Sequence, residues 1–88
     1  MHNFAKDPNA VLDYVVDWTA YLGDDTITTS TWIVPAGITK NSDTSTTTTA
    51  KVWLEGGTAG ERYAVTNRIT TAGGRTDDRT IRISCRHR

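Results

Sequence analysis

Hydrophobic and polar residues alternate along most of this chain, with the period of two that is typical of half-buried β-strands. Clusters of glycine, proline and aspartate interrupt the alternation and indicate turns. No stretch shows the period of an amphipathic helix, and residues 38–43 fit either a loop or a short edge strand. The pattern predicts five clear strands: Val11–Trp18, Thr26–Val34, Thr44–Leu54, Arg62–Thr71 and Thr76–Arg86.

The alternation also assigns a face to each side chain, because neighbouring residues of a strand point to opposite sides of the sheet. In the fourth strand, Tyr63 and Val65 fall on the inner face, which leaves Arg62 and Arg68 outside. Trp32 falls on the inner face of the second strand. We expect Trp32 to pack across the core toward Val65.

A glycine turn followed by a tyrosine is the most specific local motif. Gly60 precedes Tyr63, and Val65 stands two residues beyond the tyrosine. This is the spacing of a tyrosine corner, in which the second cysteine of an immunoglobulin domain takes the position of Val65. With a tryptophan in the second strand, it predicts an all-β, immunoglobulin-like Greek-key β-sandwich of about seven strands.

Size and composition limit what the chain can do. Its 88 residues form one small domain, and the absence of a catalytic motif favours a non-enzymatic role. Seventeen threonines favour strands, and the run Thr46–Thr49 fits the solvent face of the third strand. Cys85 is the single cysteine, which excludes an internal disulfide.

The N-terminal residues differ from the rest. Residues 1–9 are polar and interrupted by Pro8, and we interpret them as an extended arm with Phe4 as its anchor, disorder being the alternative. Residues 10–88 then form the immunoglobulin-like domain. The sequence shows neither an apolar signal core nor a run of about 20 apolar residues, so we expect no membrane partner and synthesis in a cytoplasm.

Positive and negative charges are segregated along a chain whose formal net charge is zero. Residues 1–61 hold eight acidic residues and three lysines, whereas residues 62–88 hold seven arginines and two aspartates. The net charge is zero, and no aromatic residues lie among the outward arginines. Both features argue against a nucleic-acid partner. The opposite signs predict docking to a complementary protein surface, or head-to-tail self-association such as a ring.

Two pairs of aspartates are weak candidates for metal ligands: Asp24, Asp25, Asp77 and Asp78. In this topology both pairs lie toward one end of the sandwich. Their spacing matches no calcium loop, and ion pairs with the flanking Arg75 and Arg79 explain the same residues. Cys85 and His87 lack a third residue to orient the imidazole, so we interpret Cys85 as a small inward hydrophobe. We expect no metal, no cofactor and no catalytic residues.

The candidate partner-binding residues are aromatic or basic side chains that the pattern places toward solvent or in the arm: Phe4, Trp53, Arg68, Arg82 and Arg86. Outward aromatic residues are typical interface anchors, although a loop or the arm could instead cover Trp53. The three arginines form a stripe on the outer face of the last two strands. Tryptophan beside threonine-rich faces also occurs in sugar-binding sandwiches, so a carbohydrate-binding module is an alternative.

Three segments resemble small virion proteins of tailed bacteriophages. They are Lys6–Tyr14 with Asp17 and Trp18, Thr31–Ile38, and Leu54–Gly60 running on to Ile69–Arg79. Together they cover nearly the whole chain, and their combination is similar to the phage fiber-tail adaptor family.

This resemblance implies a non-enzymatic, immunoglobulin-like part of the virion, synthesised in the host bacterial cytoplasm. It implies that the chain docks a fiber or another component onto the tail or neck, with other virion proteins as partners. The family offers no catalytic residues. A capsid decoration protein is the second alternative, beside the carbohydrate-binding module.

Overall fold

The computed structural model describes the backbone of residues 2–6 and all of residues 10–85. Strands dominate this part of the chain, which confirms the all-β prediction. The elements are β1 (His2–Lys6), β2 (Leu12–Asp17), α1 (Thr19–Leu22), β3 (Ile27–Ile33), β4 (Ile38–Ser45), β5 (Thr49–Gly56), β6 (Arg62–Thr71) and β7 (Thr76–Cys85). Residues 38–43, which fitted a loop or an edge strand, belong to the edge strand β4.

The strands form two sheets, with the orders β1-β7-β6-β3 and β2-β5-β4. All neighbouring strands are antiparallel except β1 and β7, which run parallel. This order places β2, β5 and β4 at the B, E and D positions of an immunoglobulin domain, and β3, β6 and β7 at the C, F and G positions. The predicted immunoglobulin-like Greek-key sandwich is therefore confirmed.

Inward side chains of both sheets form one core. Trp32 is 6% exposed and Val65 is fully buried. Trp18, directly after β2, is also fully buried, and its indole N–H donates to Asn67 Oδ1 at 2.9 Å. The Asn67 amide in turn donates to Ser30 Oγ at 2.9 Å. A buried polar side chain is stabilised when its hydrogen bonds are made, and here the bond from Trp18 to Asn67 also links the two sheets.

Tyr63 forms the corner at the start of β6. Its hydroxyl oxygen accepts a hydrogen bond from the Thr58 backbone N–H at 3.0 Å, which is the bond of a tyrosine corner. The ring lies so close to Gly37 that a Cβ there would stand 3.0 Å from a ring carbon. Gly37 has a φ of 97°, a conformation that glycine adopts without steric cost.

The prediction of one strand over Thr44–Leu54 was wrong. Thr44 and Ser45 end β4, a turn follows, and β5 begins at Thr49. The Thr46 hydroxyl accepts the backbone N–H groups of Thr48 and Thr49, and Thr46 N–H donates to Thr49 O. The Thr46 side chain thus stabilises a turn. Threonine favours strands, but its hydroxyl can also bond to nearby backbone groups and form a turn instead.

The short helix α1 was not predicted. It starts where the Asp17 carboxylate accepts the Thr19 backbone N–H at 2.9 Å and the Thr19 hydroxyl, and these bonds lower the pKa of Asp17. Gly23, with a φ of 59°, ends it. Four residues are too few for a helical period to be visible in the sequence.

Part of the predicted arm belongs to a sheet, because His2–Lys6 forms β1 beside β7 and Phe4 stands opposite Ile83 in the register. The division of the chain after residue 9 stays a prediction. The Phe4 side chain and Arg86 lie outside the described residues. In the part that the structure describes, no helix has the length and apolar character needed to cross a membrane.

Candidate docking surfaces

The outer face of β6 and β7 carries three arginines, and we call it the basic face. Arg62, Arg68 and Arg82 are all exposed on it. The register sets Arg68 opposite Asp78 and Ala64 opposite Arg82. The face also carries threonine pairs that cross the strands, with the Thr66 and Thr80 hydroxyl oxygens 2.9 Å apart. The face thus presents hydroxyl and guanidinium groups together with the Asp78 carboxylate.

The arginines of the basic face differ in their partners. Arg68 binds Asp78 through two hydrogen bonds, from Nε to Oδ1 at 2.8 Å and from Nη2 to Oδ2 at 3.0 Å. The Arg68 guanidinium holds the pKa of the Asp78 carboxyl below its usual value, and Asp78 in turn raises the pKa of Arg68. This pair reduces the positive charge at the Arg68 end of the predicted stripe, so the sequence pattern overstated the charge there.

The outer face of the sheet formed by β2, β5 and β4 has the opposite sign, and we call it the acidic face. Its charged residues are Asp13, Asp17, Lys51 and Glu55, of which Lys51 lies 3.9 Å from Asp13. Trp53 is half-buried on this face, opposite Asp13 on β2 and Ser42 on β4. Val15 is 44% exposed nearby. The face thus combines acidic groups with partly exposed apolar groups.

A third feature is the end of the sandwich where α1 meets the β6–β7 hairpin. Asp25 Oδ1 accepts the backbone N–H groups of Thr26 and Gly73, each at 2.9 Å. Arg75 donates to Asp25 Oδ2 from Nε and Nη2, each at 3.2 Å. The hydrogen bond from the Thr71 side chain, followed by those from the two backbone N–H groups and Arg75, lowers the pKa of Asp25 to about 2.

Two arginines complete this end by stacking on aromatic rings. The Arg75 guanidinium lies 4.7 Å from the Tyr21 ring centroid, and that of Arg79 lies 4.4 Å from the Trp18 centroid. The two rings meet edge to face, with centroids 5.3 Å apart. Arg79 also donates to Asp17 O at 2.8 Å. We call the group of Asp25, Arg75, Arg79, Trp18 and Tyr21 the loop clamp, because it fixes α1 to the hairpin.

Comparison with known proteins identifies the family of this chain. A family model described as podophage GP4 fiber-tail adaptor protein gp77 matches residues 6–84 of the chain. The chain belongs to this family of phage fiber-tail adaptors. It is thereby assigned a structural role in a phage tail, as a component of the virion. No curated protein matches the chain significantly.

In this adaptor the four aspartates proposed as weak metal candidates do not converge. Asp25 belongs to the loop clamp, Asp78 pairs with Arg68, and Asp77 accepts the Asp78 backbone N–H. The hairpin turn ends at Arg75, so Asp77 and Asp78 lie within β7 rather than in the connection. Among the described residues no three His, Cys, Asp or Glu side chains group around a common point.

The arginines flanking Asp77 and Asp78 also have other partners than expected. Arg75 pairs with Asp25, and Arg79 stacks on Trp18. Such pairings between distant segments depend on the strand register, which the sequence pattern did not provide. Cys85 is a free, buried thiol at the end of β7, whereas His87 lies outside the described residues.

Proposed function

We propose that this chain is a non-enzymatic adaptor that docks a fiber or another component onto the tail or neck of a phage particle. The observation that carries the proposal is the family match over residues 6–84. A sandwich with a basic and an acidic outer face supports it, because two different surfaces let one domain bind two different partners. Complementary charges steer association and fix orientation more than they add affinity.

The basic face is the proposed surface for an acidic partner. Arg62 and Arg82 are exposed, and guanidinium groups bind carboxylates through paired hydrogen bonds. Arg68 contributes less charge, since Asp78 already binds it. Arg86 and Phe4 stay proposed contacts whose side chains lie outside the described residues.

The acidic face is the proposed surface for the second partner. Trp53 is half-buried there, so part of its ring is available to a partner, and exposed Val15 adds apolar area. Asp13 stands opposite Trp53 and supplies charge beside it. In the head-to-tail version of the proposal, the basic face of one copy meets the acidic face of the next.

A phage carrying single charge reversals tests the adaptor role. Arg62→Glu and Arg82→Glu should lower the amount of fiber protein per capsid protein in purified virions, measured by mass spectrometry. Lys40→Glu makes the same charge change on the edge strand β4, at an exposed residue that belongs to neither docking face, and serves as the matched control, with fiber content near that of the wild type. Purified virions without any of this chain would contradict the proposal.

Sedimentation velocity tests the head-to-tail version separately. Association between oppositely charged faces should weaken as salt rises, because exposed charges are screened. A strict monomer at low salt and high concentration would exclude this version while leaving docking to other virion proteins intact. The carbohydrate-binding alternative would use the same partly exposed Trp53 ring. A glycan array checks it directly.

A further inference from the structure

The sheets end in four edge strands within the described part of the chain: β1 and β3 in one sheet, β2 and β4 in the other. An edge strand presents unpaired N–H and C=O groups, and proteins usually protect it with charged residues or bulges. Three of the four carry charge: Lys6 lies in β1, Asp13 and Asp17 in β2, and Lys40 and Asp43 in β4. Lys40 and Asp43 also form an ion pair beside a bulge.

Strand β3 is the exception. Ile27–Ile33 contains no charged residue, no glycine and no proline, and its only irregularity lies between Ile27 and Thr29. The Ile27 backbone N–H already donates to Thr47 O at 2.9 Å, so the edge that a partner could reach begins at Thr29. From Thr29 onward it is regular, and threonine, isoleucine and tryptophan all favour strand pairing. Ile33 is 45% exposed, one of the largest exposures among the apolar side chains. This edge therefore has the composition of a strand that accepts another strand.

We propose that β3 pairs antiparallel with β3 of a second copy of this chain, about a two-fold axis at Thr31. In such pairing, Thr29 of one copy stands opposite Ile33 of the other, and both lie on the outer face. The register with β6 supports this, since Thr29, Thr31 and Ile33 stand opposite the outer-face residues of that strand. Pairs of β-branched side chains stabilise neighbouring strands, and each copy covers the exposed Ile33 of its partner.

The charges around β3 favour a second copy as the occupant. Three ion pairs lie around β3: Lys40 with Asp43 on β4, Arg68 with Asp78 next to Thr31 in the sheet, and Asp25 with Arg75 just before β3 begins. Each pair is neutral in sum, so two identical edges meet without net repulsion. The β2 edge differs, because self-pairing there would bring aspartates together. Like charges directly opposite each other destabilise a strand pair.

Sedimentation equilibrium of the wild type and two lysine variants tests the proposal. Thr31→Lys places two ammonium groups together at the axis, and we expect the dimer dissociation constant to rise more than about tenfold. Thr76→Lys is the matched control, since Thr76 is an exposed threonine on β7 of the same sheet. It should leave the dissociation constant within about twofold of the wild type.

A cysteine variant tests the register without adding charge. Thr31→Cys should form a disulfide-linked dimer under mild oxidation, because the two residues face each other across the axis. Thr76→Cys should not, and Cys85 is buried in both proteins. A wild type that stays monomeric at about 1 mM, far above the micromolar range of weak specific complexes, would overturn the proposal. So would a dimer that Thr31→Lys leaves intact.

This edge contact goes beyond the proposed adaptor function and is separable from it. Charge reversal at Arg62 should weaken the head-to-tail contact of outer faces and leave the β3 dimer unchanged. Thr31→Lys should weaken the β3 dimer and leave the head-to-tail contact of outer faces unchanged. High salt should weaken the face contact, whereas strand pairing through backbone hydrogen bonds should persist.

Discussion

The two ends of the sandwich are closed in different ways. At one end, Tyr63 packs between glycines, accepts one hydrogen bond from Thr58 N–H, and has the buried Cys85 nearby. At the other end, the loop clamp joins Asp25 to Arg75 and stacks two guanidinium groups on aromatic rings. The first end depends on close packing of neutral groups, and the second on charged groups that solvent still reaches. The two ends should therefore respond to different perturbations.

Gly57→Ala should give the largest effect, and it acts at the tyrosine-corner end. A Cβ on Gly57 would overlap Cys85 Sγ, and the glycine has a φ of 98° that other residues rarely adopt. Overpacking costs about 1–3 kcal/mol and the left-handed backbone about 1–2 kcal/mol, so we expect a loss of about 2–5 kcal/mol in the free energy of unfolding. Urea denaturation measures it.

Gly60→Ala is the matched control. Gly60 also has a positive φ, of 87°, but no atom lies within 4 Å of the position of its Cβ. It should lose only about 1–2 kcal/mol, from the backbone alone. Adding Cys85→Ala to Gly57→Ala should recover part of the larger loss. Equal losses at the two glycines would show that Cys85 plays no part.

Tyr63→Phe should give the second largest effect. It removes the hydroxyl that accepts Thr58 N–H and leaves this donor without its partner, while the ring packing is kept. We expect a loss of about 1–2 kcal/mol. Because the bond joins neutral groups, the loss should be the same at pH 3 and pH 7. Tyr21→Phe keeps the ring beneath Arg75 and should cost less than about 0.5 kcal/mol.

Acid should act at the opposite end. The hydrogen bonds from Thr71, the backbone and Arg75 lower the pKa of Asp25 from 3.8 to about 2. When folding lowers the pKa of a carboxyl, its ionised form stabilises the folded state at pH values above the pKa of the unfolded state. This stability is lost as the pH falls through the pKa of the folded state. Stability should therefore fall between about pH 4 and pH 2, and Asp25→Asn should flatten this part of the profile.

Denaturant titrations at several pH values measure how the free energy of unfolding changes with pH. Asp24→Asn is the control, since Asp24 adjoins Asp25 but makes none of the clamp's bonds among the described residues. Its profile should follow that of the wild type. An Asp25→Asn profile as steep as the wild type would assign the acid sensitivity to other carboxylates.

The contrast between the two ends also explains which structural features the sequence predicted correctly. The boundaries of Arg62–Thr71 and the inward positions of Tyr63 and Val65 followed from alternation, because one buried face enforces a period of two. The corner followed from its spacing. Local patterns of this kind are sufficient where packing follows directly from strand geometry.

Local patterns of this kind could not predict the loop clamp. Asp25 and Arg75 are 50 residues apart, and the pairing of β3 with β6, whose hairpin to β7 carries Arg75, brings them together. Arg68 and Asp78 meet because of the hairpin register, which a shift of one residue would have changed. The Thr46 turn was missed for another reason, since its side chain forms hydrogen bonds that strand propensity does not describe.

Arg79→Lys should give the smallest effect, and it distinguishes the contribution of charge from that of stacking within the loop clamp. Arg79 stacks on Trp18 and donates to Asp17 O, and both contacts use the planar guanidinium. Arg79→Lys keeps the charge but loses the stacking geometry, so we expect a loss of about 0.5–1 kcal/mol in the free energy of unfolding. Arg82→Lys, on the exposed basic face, should cost less. If both lysine variants matched the wild type, the clamp would depend on the presence of a positive charge near the indole, and the planar shape of the group would not matter.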